Sequence, residues 1–248
     1  MDRPSLLVIA HGSRDPRHAA TVQALVRRAG ALRPGLRVET AFLDFNLPSV
    51  TGVLDRLAAD GVREVVALPL LLTRAFHAKA DVPAVLRQAP ASLRVRQAEV
   101  LGPSPLLVAA LARRLYEAGL TPADKSTTGV VLASAGSTDP EAIAAIAETA
   151  RELRRTGWCS VRPAFASASL PRTEDAVQAL RTEPDVRRVA VAPYVIAPGR
   201  LPDRIAAGAA GADVLADVLG PSPELAALLL ERYDGAAQAE ELVAAVAG

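Results

Sequence analysis

The chain has 248 residues, of which 50% are apolar, so it carries enough apolar side chains for the cores of two ordinary domains. Its 28 lysines and arginines nearly balance 27 aspartates and glutamates, which argues against a broad surface for nucleic acid or anionic membranes. A single cysteine excludes an internal disulfide, and without a signal-peptide pattern or an apolar run long enough to span a bilayer we expect a cytoplasmic, soluble protein.

Short apolar strands alternate with segments of helical period along the first half. The pattern predicts strands at 5–10, 37–43, 63–72 and 93–98 and helices at 16–31, 48–60, 78–89 and 104–118. The same order repeats over 128–232, and an Ala-rich helix is predicted near 236–247. Strands that are apolar on both faces and alternate with helices favour parallel sheets covered on both sides, and so an α/β fold.

The two halves are versions of one unit. Three blocks recur in the same order: Gly12-Ser13 as Gly136-Ser137, Leu47-Pro48 as Leu170-Pro171, and Leu101 to Pro105 as Leu219 to Pro223. A repeat long enough to hold several strands and helices indicates a duplicated domain and not a solenoid. We predict domains at 1–121 and 122–248, joined at the polar stretch 121–127.

Three potential metal ligands follow the first three strands of the first half. They are His11, Asp44 and His77. Ligands bind where the carboxyl ends of parallel strands meet, and imidazole with carboxylate suits Zn, Fe, Co or Ni. Either imidazole could instead accept a proton, because imidazole titrates near neutrality. The alternative is that His11 caps the first helix and His77 is an ordinary surface residue.

The same loops carry candidates for substrate binding. Gly12 and Ser13 precede a helix, where backbone amides can hold an anion, although their spacing matches neither a P-loop nor a dinucleotide motif. Positive side chains gather in these loops; they are Arg14, Arg74 and Lys79 in the first half and Arg200 and Arg204 in the second. Each alone is typical of a solvated rim, but together they favour a cleft for a polycarboxylate. His18, within the first helix, is expected to be solvated.

Three segments of the first half form a more specific pattern. They are Ile9-Ala10-His11-Gly12-Ser13-Arg14-Asp15-Pro16, Ala41-Phe42-Leu43-Asp44, and Leu68-Pro69-Leu70-Leu71-Leu72 followed by His77-x-Lys79-x-Asp81-x-Pro83. These segments resemble the sirohydrochlorin chelatase family, the CbiX/SirB-type class II chelatases, in its long two-unit form. The resemblance implies a chelatase-like fold of two tandem Rossmann-like domains. Each would have a mostly four-stranded parallel sheet flanked by helices, and the second would form the opposite wall of a cleft.

The resemblance also implies an activity. The chain would be a lyase that inserts Fe²⁺ or Co²⁺ into sirohydrochlorin for siroheme or cobalamin biosynthesis, with the metal as a substrate and no organic cofactor. His11 and His77 would be the catalytic, metal-binding pair, and Asp44 stands where many relatives carry a glutamate. The carboxylates of the tetrapyrrole would meet the loop Gly12-Ser13-Arg14 together with Arg74, Lys79 and Arg200.

The second half lacks these groups. Ala135 and Leu201 stand in place of the two histidines, and Ser167 in place of the acid, so one active centre per chain is expected. The fusion of two units predicts a monomer and does not forbid a homodimer. Two other functions stay open at this point: a non-catalytic tetrapyrrole or metal carrier that keeps the fold, and a chelatase for another tetrapyrrole.

Overall fold

Two parallel β-sheets form the framework of the protein. The computed structural model describes residues 3–74 and 77–246, and for 77–78 and 239–246 it describes the backbone alone. Each sheet has four strands that alternate with helices along the chain, which confirms the predicted α/β class. In the part of the chain that is described, no helix combines the length and the apolar character that a bilayer crossing requires.

The first sheet is built by the first half of the chain. Its strands are β1 (Ser5–Ala10), β2 (Val38–Phe42), β3 (Glu64–Pro69) and β4 (Arg94–Gln97). The helices between and after them are α1 (Pro16–Leu32), α2 (Val50–Ala59), α3 (Val82–Leu86), preceded by a π-helical turn at His77–Asp81, and α4 (Pro105–Glu117). The order β2-β1-β3-β4 places Ile9 of β1 between Ala41 and Pro69, so the carboxyl ends of three strands meet.

The second sheet repeats this arrangement. After a 3₁₀ helix at Pro122–Thr127 come the strands β5 (Thr128–Ser134), β6 (Ser160–Phe165), β7 (Arg188–Tyr194) and β8 (Val214–Leu215). The helices are α5 (Pro140–Arg155), α6 (Thr173–Arg181), α7 (Arg200–Gly208) and α8 (Pro223–Val246). The strand order is β6-β5-β7-β8, the same as in the first sheet.

Three predicted elements differ from the structure. β3 ends at Pro69 and not at 72, because the Leu71 amide donates to the Pro69 carbonyl in a local turn and the chain leaves the ladder. The helix predicted at 78–89 is a π-helical turn followed by the short α3. The separate helix predicted at 236–247 is the second part of α8, which runs through Gly235 because one glycine costs a helix only about 1 kcal/mol.

Apolar side chains on alternate strand positions build the core of the first sheet. Leu7 and Ile9 of β1 belong to one buried cluster with Val53, Leu54 and Leu57 of α2, all at most 1% exposed. The equivalent cluster on the second sheet joins β5 to α6 and α7. Burial of this kind contributes about 1.5–3 kcal/mol per large apolar side chain, so β1 and its following loop rest on a rigid base.

The chain divides into two compact units that exchange their last helices. One unit comprises Met1–Gly102 with Leu225–Gly248, and the other comprises Pro103–Glu224. Within the second unit α4 packs against α5 and β7, although it ends the first sequence repeat. The sequence repeats 1–121 and 122–248 therefore differ from the compact units in the helix that completes each one.

Polar contacts hold α8 within the first unit. The Arg232 guanidinium donates to the carbonyls of Val100 and Leu101, each at 2.9 Å. The Tyr233 hydroxyl donates to the Pro4 carbonyl at 2.7 Å, beside the start of β1. These hydrogen bonds fix α8 in position, because a shift of the helix would leave the side-chain donors without acceptors.

Tyr194 makes the stability of the second unit sensitive to alkaline pH. Burial raises its pKa to about 12, and a hydrogen bond with Thr149 opposes that shift only in part. Between its ordinary pKa near 10 and this value, the unfolded chain loses the tyrosine proton while the folded chain keeps it. Stability is therefore complete below pH 10 and falls by about 1.4 kcal/mol per pH unit as the pH rises through this window.

We expect the Tyr194→Phe variant to lose less stability than the wild type between pH 10 and pH 12. Denaturant titrations followed by fluorescence of the single tryptophan, Trp158, report on the same unit. An equal pH slope in both proteins would contradict this account of Tyr194.

Candidate active site

His11 lies immediately after β1, in a loop that is hydrogen-bonded to the loop after β2. The Asp44 amide donates to the His11 carbonyl at 2.9 Å, and the Leu43 amide donates to Ala10 at the same distance. These bonds continue the ladder between the two strands past their ends. His11 is half-buried on this base, so its imidazole is held at the carboxyl edge of the sheet while part of it remains accessible.

Gly12 allows the two loops to touch. Its φ is +97°, and a Cβ placed on it would lie 1.9 Å from the Asp44 carbonyl oxygen. No other residue fits this contact, because any side chain would overlap the carbonyl and would also be strained at this backbone angle. Gly12 therefore allows the loops that carry His11 and Asp44 to lie in direct backbone contact.

Asn46 completes the link between the loops. Its Oδ1 accepts from the Ser13 amide at 2.8 Å, and the Ser13 hydroxyl accepts from the Asp15 amide at 3.1 Å. Asp15 in turn caps α1 by accepting from the Arg17 amide at 2.9 Å. Because the Ser13 amide is already bonded within the protein, its hydroxyl is the group that could contact a ligand.

Phe45 places an aromatic ring beside the histidine. Its backbone is left-handed, with φ of 60°, and the side chain is 50% exposed. The ring stands edge-on to the His11 imidazole, with centroids 6.1 Å apart and planes at 80°. The Arg14 guanidinium lies 5.3 Å from the Phe45 centroid in a cation–π contact. The sequence analysis missed Phe45 and Asn46, although both directly follow the predicted ligand Asp44.

His18 is not the solvated residue that its place in α1 predicted. It is half-buried, and its Nδ1 is buried with no hydrogen-bond partner among the described residues. Burial lowers its pKa, and the nearby His11 lowers it further. The prediction failed because the position of a residue within a helix does not by itself give the burial of its side chain.

Asp44 carries an exposed carboxylate at the end of β2. Its Oδ1 accepts from the Phe45 amide at 2.8 Å, which fixes the side chain next to its own backbone. A carboxylate held by one oxygen can still offer the other to a cation. The structure thus brings Asp44 and His11 onto adjoining loops, as predicted for strand ends in one crevice.

The third predicted ligand, His77, opens the π-helical turn before α3, and its side chain lies outside the described residues. Arg74 is exposed and forms an ion pair with Glu99, which follows β4. Arg74, Lys79 and Glu99 line a small cavity of about 120 Å³ at this end of the sheet. Among the side chains that are described, no group of three or more His, Cys, Asp or Glu could hold a metal ion. The set of His11, Asp44 and His77 stays a prediction, since one member is not described.

The model of the CbiX family matches this chain twice, at residues 5–118 and 129–236. The chain belongs to the CbiX family. The two matches correspond to the two sequence repeats, and they confirm the resemblance that the motifs around His11, Asp44 and His77 carry.

Curated relatives of this CbiX protein carry two different activity names. A sirohydrochlorin cobaltochelatase of Priestia megaterium is 27% identical over 208 residues, which are 81% of this chain and 67% of that protein. A sirohydrochlorin ferrochelatase of the same organism is 27% identical over 207 residues, 81% of this chain and 76% of the relative. The chain is thus equally identical to a relative named for cobalt and to one named for iron.

Solved structures share the fold of this CbiX protein. SirB from Bacillus subtilis with Fe³⁺ superposes with a TM-score of 0.82 at 23% identity, covering 96% of this chain and 97% of that chain. The structure of CbiX from denitrifying bacteria, described as the terminal enzyme for siroheme biosynthesis, gives a TM-score of 0.70 at 22% identity and covers 94% and 99%. These likenesses confirm the predicted chelatase-like fold.

The second repeat of this CbiX protein keeps the backbone contact between the two loops but lacks the side chains that could act as ligands. The Ser167 amide donates to the Ala135 carbonyl at 3.0 Å, as Asp44 does to His11. A Cβ on Gly136 would lie 1.9 Å from the Ser167 carbonyl oxygen, as at Gly12. Alanine and serine cannot replace imidazole and carboxylate as ligands. Arg200, the predicted cation of this unit, is exposed at the start of α7.

Proposed function

We propose that this protein inserts a divalent metal ion into sirohydrochlorin, with the site at the end of β1 and β2. The observation that carries the proposal is the half-buried His11, held on a rigid strand end against the Asp44 loop in a chain of the CbiX family. A histidine fixed in this way can receive a metal or a proton without first being ordered.

Metal insertion needs both a ligand and a base. The incoming ion exchanges its bound water for the pyrrole nitrogens, and two pyrrole N–H groups release their protons as the new bonds form. A neutral imidazole can do either task, because it offers one lone pair near neutral pH. In our proposal His11 and His77 share these roles, and Asp44 contributes its second carboxylate oxygen to the incoming cation.

The surroundings of His11 suit a flat, largely apolar macrocycle. Phe45 is 50% exposed and Leu47, in the same loop, is 82% exposed. Large apolar groups so exposed beside a polar site are typical of a ligand-binding surface. We propose that the tetrapyrrole lies against Phe45 and Leu47, with its reacting nitrogens toward the histidine.

The rim cations suit the acidic periphery of the substrate. Arg14, Arg74 and Lys79 are exposed around the site of the first unit. Arg200, exposed on the second unit, stays a predicted substrate residue. Guanidinium groups bind carboxylates through paired hydrogen bonds, so these residues would determine affinity, whereas the histidines would determine rate.

The experiment that tests the proposal is anaerobic absorbance spectroscopy of sirohydrochlorin with Fe²⁺ or Co²⁺. We expect the protein to accelerate the spectral change with at least one metal over a protein-free reaction, and the ratio of the two rates gives the preferred metal. No acceleration with either metal would contradict the proposal.

Removal of the ion pair between Arg74 and Glu99 is expected to change the affinity for substrate. We expect Glu99→Gln to lower the KM for sirohydrochlorin about two- to fivefold at low ionic strength, because it removes a carboxylate that competes for Arg74. The kcat should stay unchanged. Steady-state kinetics measure both values, with Glu117→Gln as the control, since Glu117 pairs with Arg114 on α4. An unchanged KM in Glu99→Gln would argue against Arg74 as a substrate ligand.

A further inference from the structure

A second cavity lies within the second unit beside the first turn of α6. Its volume is about 420 Å³, which is within the range of small-molecule pockets. Phe165, at the end of β6, lies on one side, and Arg172, Thr173 and Glu174 at the start of α6 lie on another. Arg204 of α7 completes the polar lining.

The cavity is positively charged. Among the residues that line it, the two arginines Arg172 and Arg204 outweigh the one carboxylate, Glu174. At the amino end of α6 the Asp175 carboxylate accepts from the Arg172 amide at 3.2 Å, which partly offsets the positive end of the helix dipole. The two arginines of the lining favour an anion at this position.

The repeat shows that this charge is specific to the second unit. The position of Arg172 corresponds to Ser49 in the first repeat, where the Ser49 hydroxyl caps α2 by accepting from the Gly52 amide at 3.2 Å. An arginine cannot accept this bond, and a cation at a helix amino end is electrostatically unfavourable. Replacement of a capping serine by Arg172 removes a stabilising contact that a bound anion would restore.

The two arginines also lack the partners that most arginines of this chain have. The Nη1 of Arg172 is buried and has no hydrogen-bond partner among the described residues. Arg204 is exposed, and no ion pair with a described residue engages it. A buried donor without an acceptor is costly, and no acceptor among the described residues satisfies this one.

We propose that this cavity is a binding site for a small oxyanion, a phosphate or carboxylate group held between Arg172 and Arg204. Guanidinium groups match both kinds of oxyanion through paired, charge-assisted hydrogen bonds. The Thr173 hydroxyl, at the amino end of α6, is a further group that can donate to the anion. Oxyanion binding at this cavity can be measured without metal or tetrapyrrole.

Isothermal titration calorimetry of the full chain tests the site, with inorganic phosphate and citrate as separate probes in buffer without metal or tetrapyrrole. We expect saturable binding of at least one probe at one site per chain. Phosphate alone would identify a phosphoryl ligand and citrate alone a carboxylate ligand. No saturable binding of either probe at millimolar concentration would overturn the proposal.

Three variants make the test specific. Arg172→Ser, which restores the residue of the first repeat, should weaken binding at least about tenfold, and Glu174→Gln should tighten it. Arg187→Ser removes the same charge at the amino end of β7, where it should leave binding unchanged. Equal weakening in both arginine variants would show a general charge effect and contradict the site. Because metal and tetrapyrrole are absent, failure here does not bear on metal insertion.

Discussion

The His11→Ala variant is expected to insert metal at least about 100-fold more slowly than the wild type while it still binds sirohydrochlorin. The imidazole supplies the metal ligand or the base in our proposal, whereas the apolar loop and the rim cations supply affinity. Rapid mixing with each divalent metal measures the rate, and the spectral shift of the tetrapyrrole without metal measures binding.

The second repeat indicates that this variant will fold. Ala135 occupies the corresponding position and keeps the same backbone hydrogen bond to the neighbouring loop. An alanine at position 11 is therefore compatible with the backbone contact between the two loops. An unchanged midpoint of thermal unfolding is the control. Full activity of a folded His11→Ala protein would show that the imidazole has no role in the reaction.

The Gly12→Ala variant is expected to destabilise the first unit by about 3–4 kcal/mol and to abolish metal insertion. The added Cβ would lie 1.9 Å from the Asp44 carbonyl oxygen, so the loops that carry His11 and Asp44 must separate. The left-handed backbone at Gly12 adds strain of its own. Denaturant titration followed by circular dichroism measures the stability.

Gly61→Ala is the matched control for this prediction. Gly61 lies in the same unit with φ of +80°, but a Cβ placed on it would meet nothing within 4 Å. We expect this variant to lose only about 1–2 kcal/mol, from backbone strain alone, and to keep its activity. Equal losses in the two variants would mean that the contact between the loops contributes nothing.

The strands and their ends could be predicted from the sequence because the patterns that indicate them lie within short segments of the chain. Runs of apolar residues with helical segments between them identified β1 and β2 to within a residue, and Asp15 before Pro16 marked the start of α1. The parallel arrangement then placed His11 and Asp44 at one edge without any structure. These predictions rested on the periodicity of apolar residues and on the capping residue Asp15.

The parts that escaped prediction depend on contacts between distant segments. The exchange of α4 and α8 between units cannot be seen in a pattern that repeats by sequence. Phe45 and Asn46 became visible only through their contacts with His11 and Ser13 across the loops. The burial of His18 was likewise not predictable from its position in α1.

The number of sirohydrochlorin molecules metallated per protein chain tests the central claim most directly. With tetrapyrrole and metal in large excess under anaerobic conditions, an enzyme with one active centre per chain should convert many equivalents of substrate. The account predicts continued conversion at a rate proportional to protein concentration. Conversion that stops at one equivalent per chain would contradict it and would identify a stoichiometric carrier.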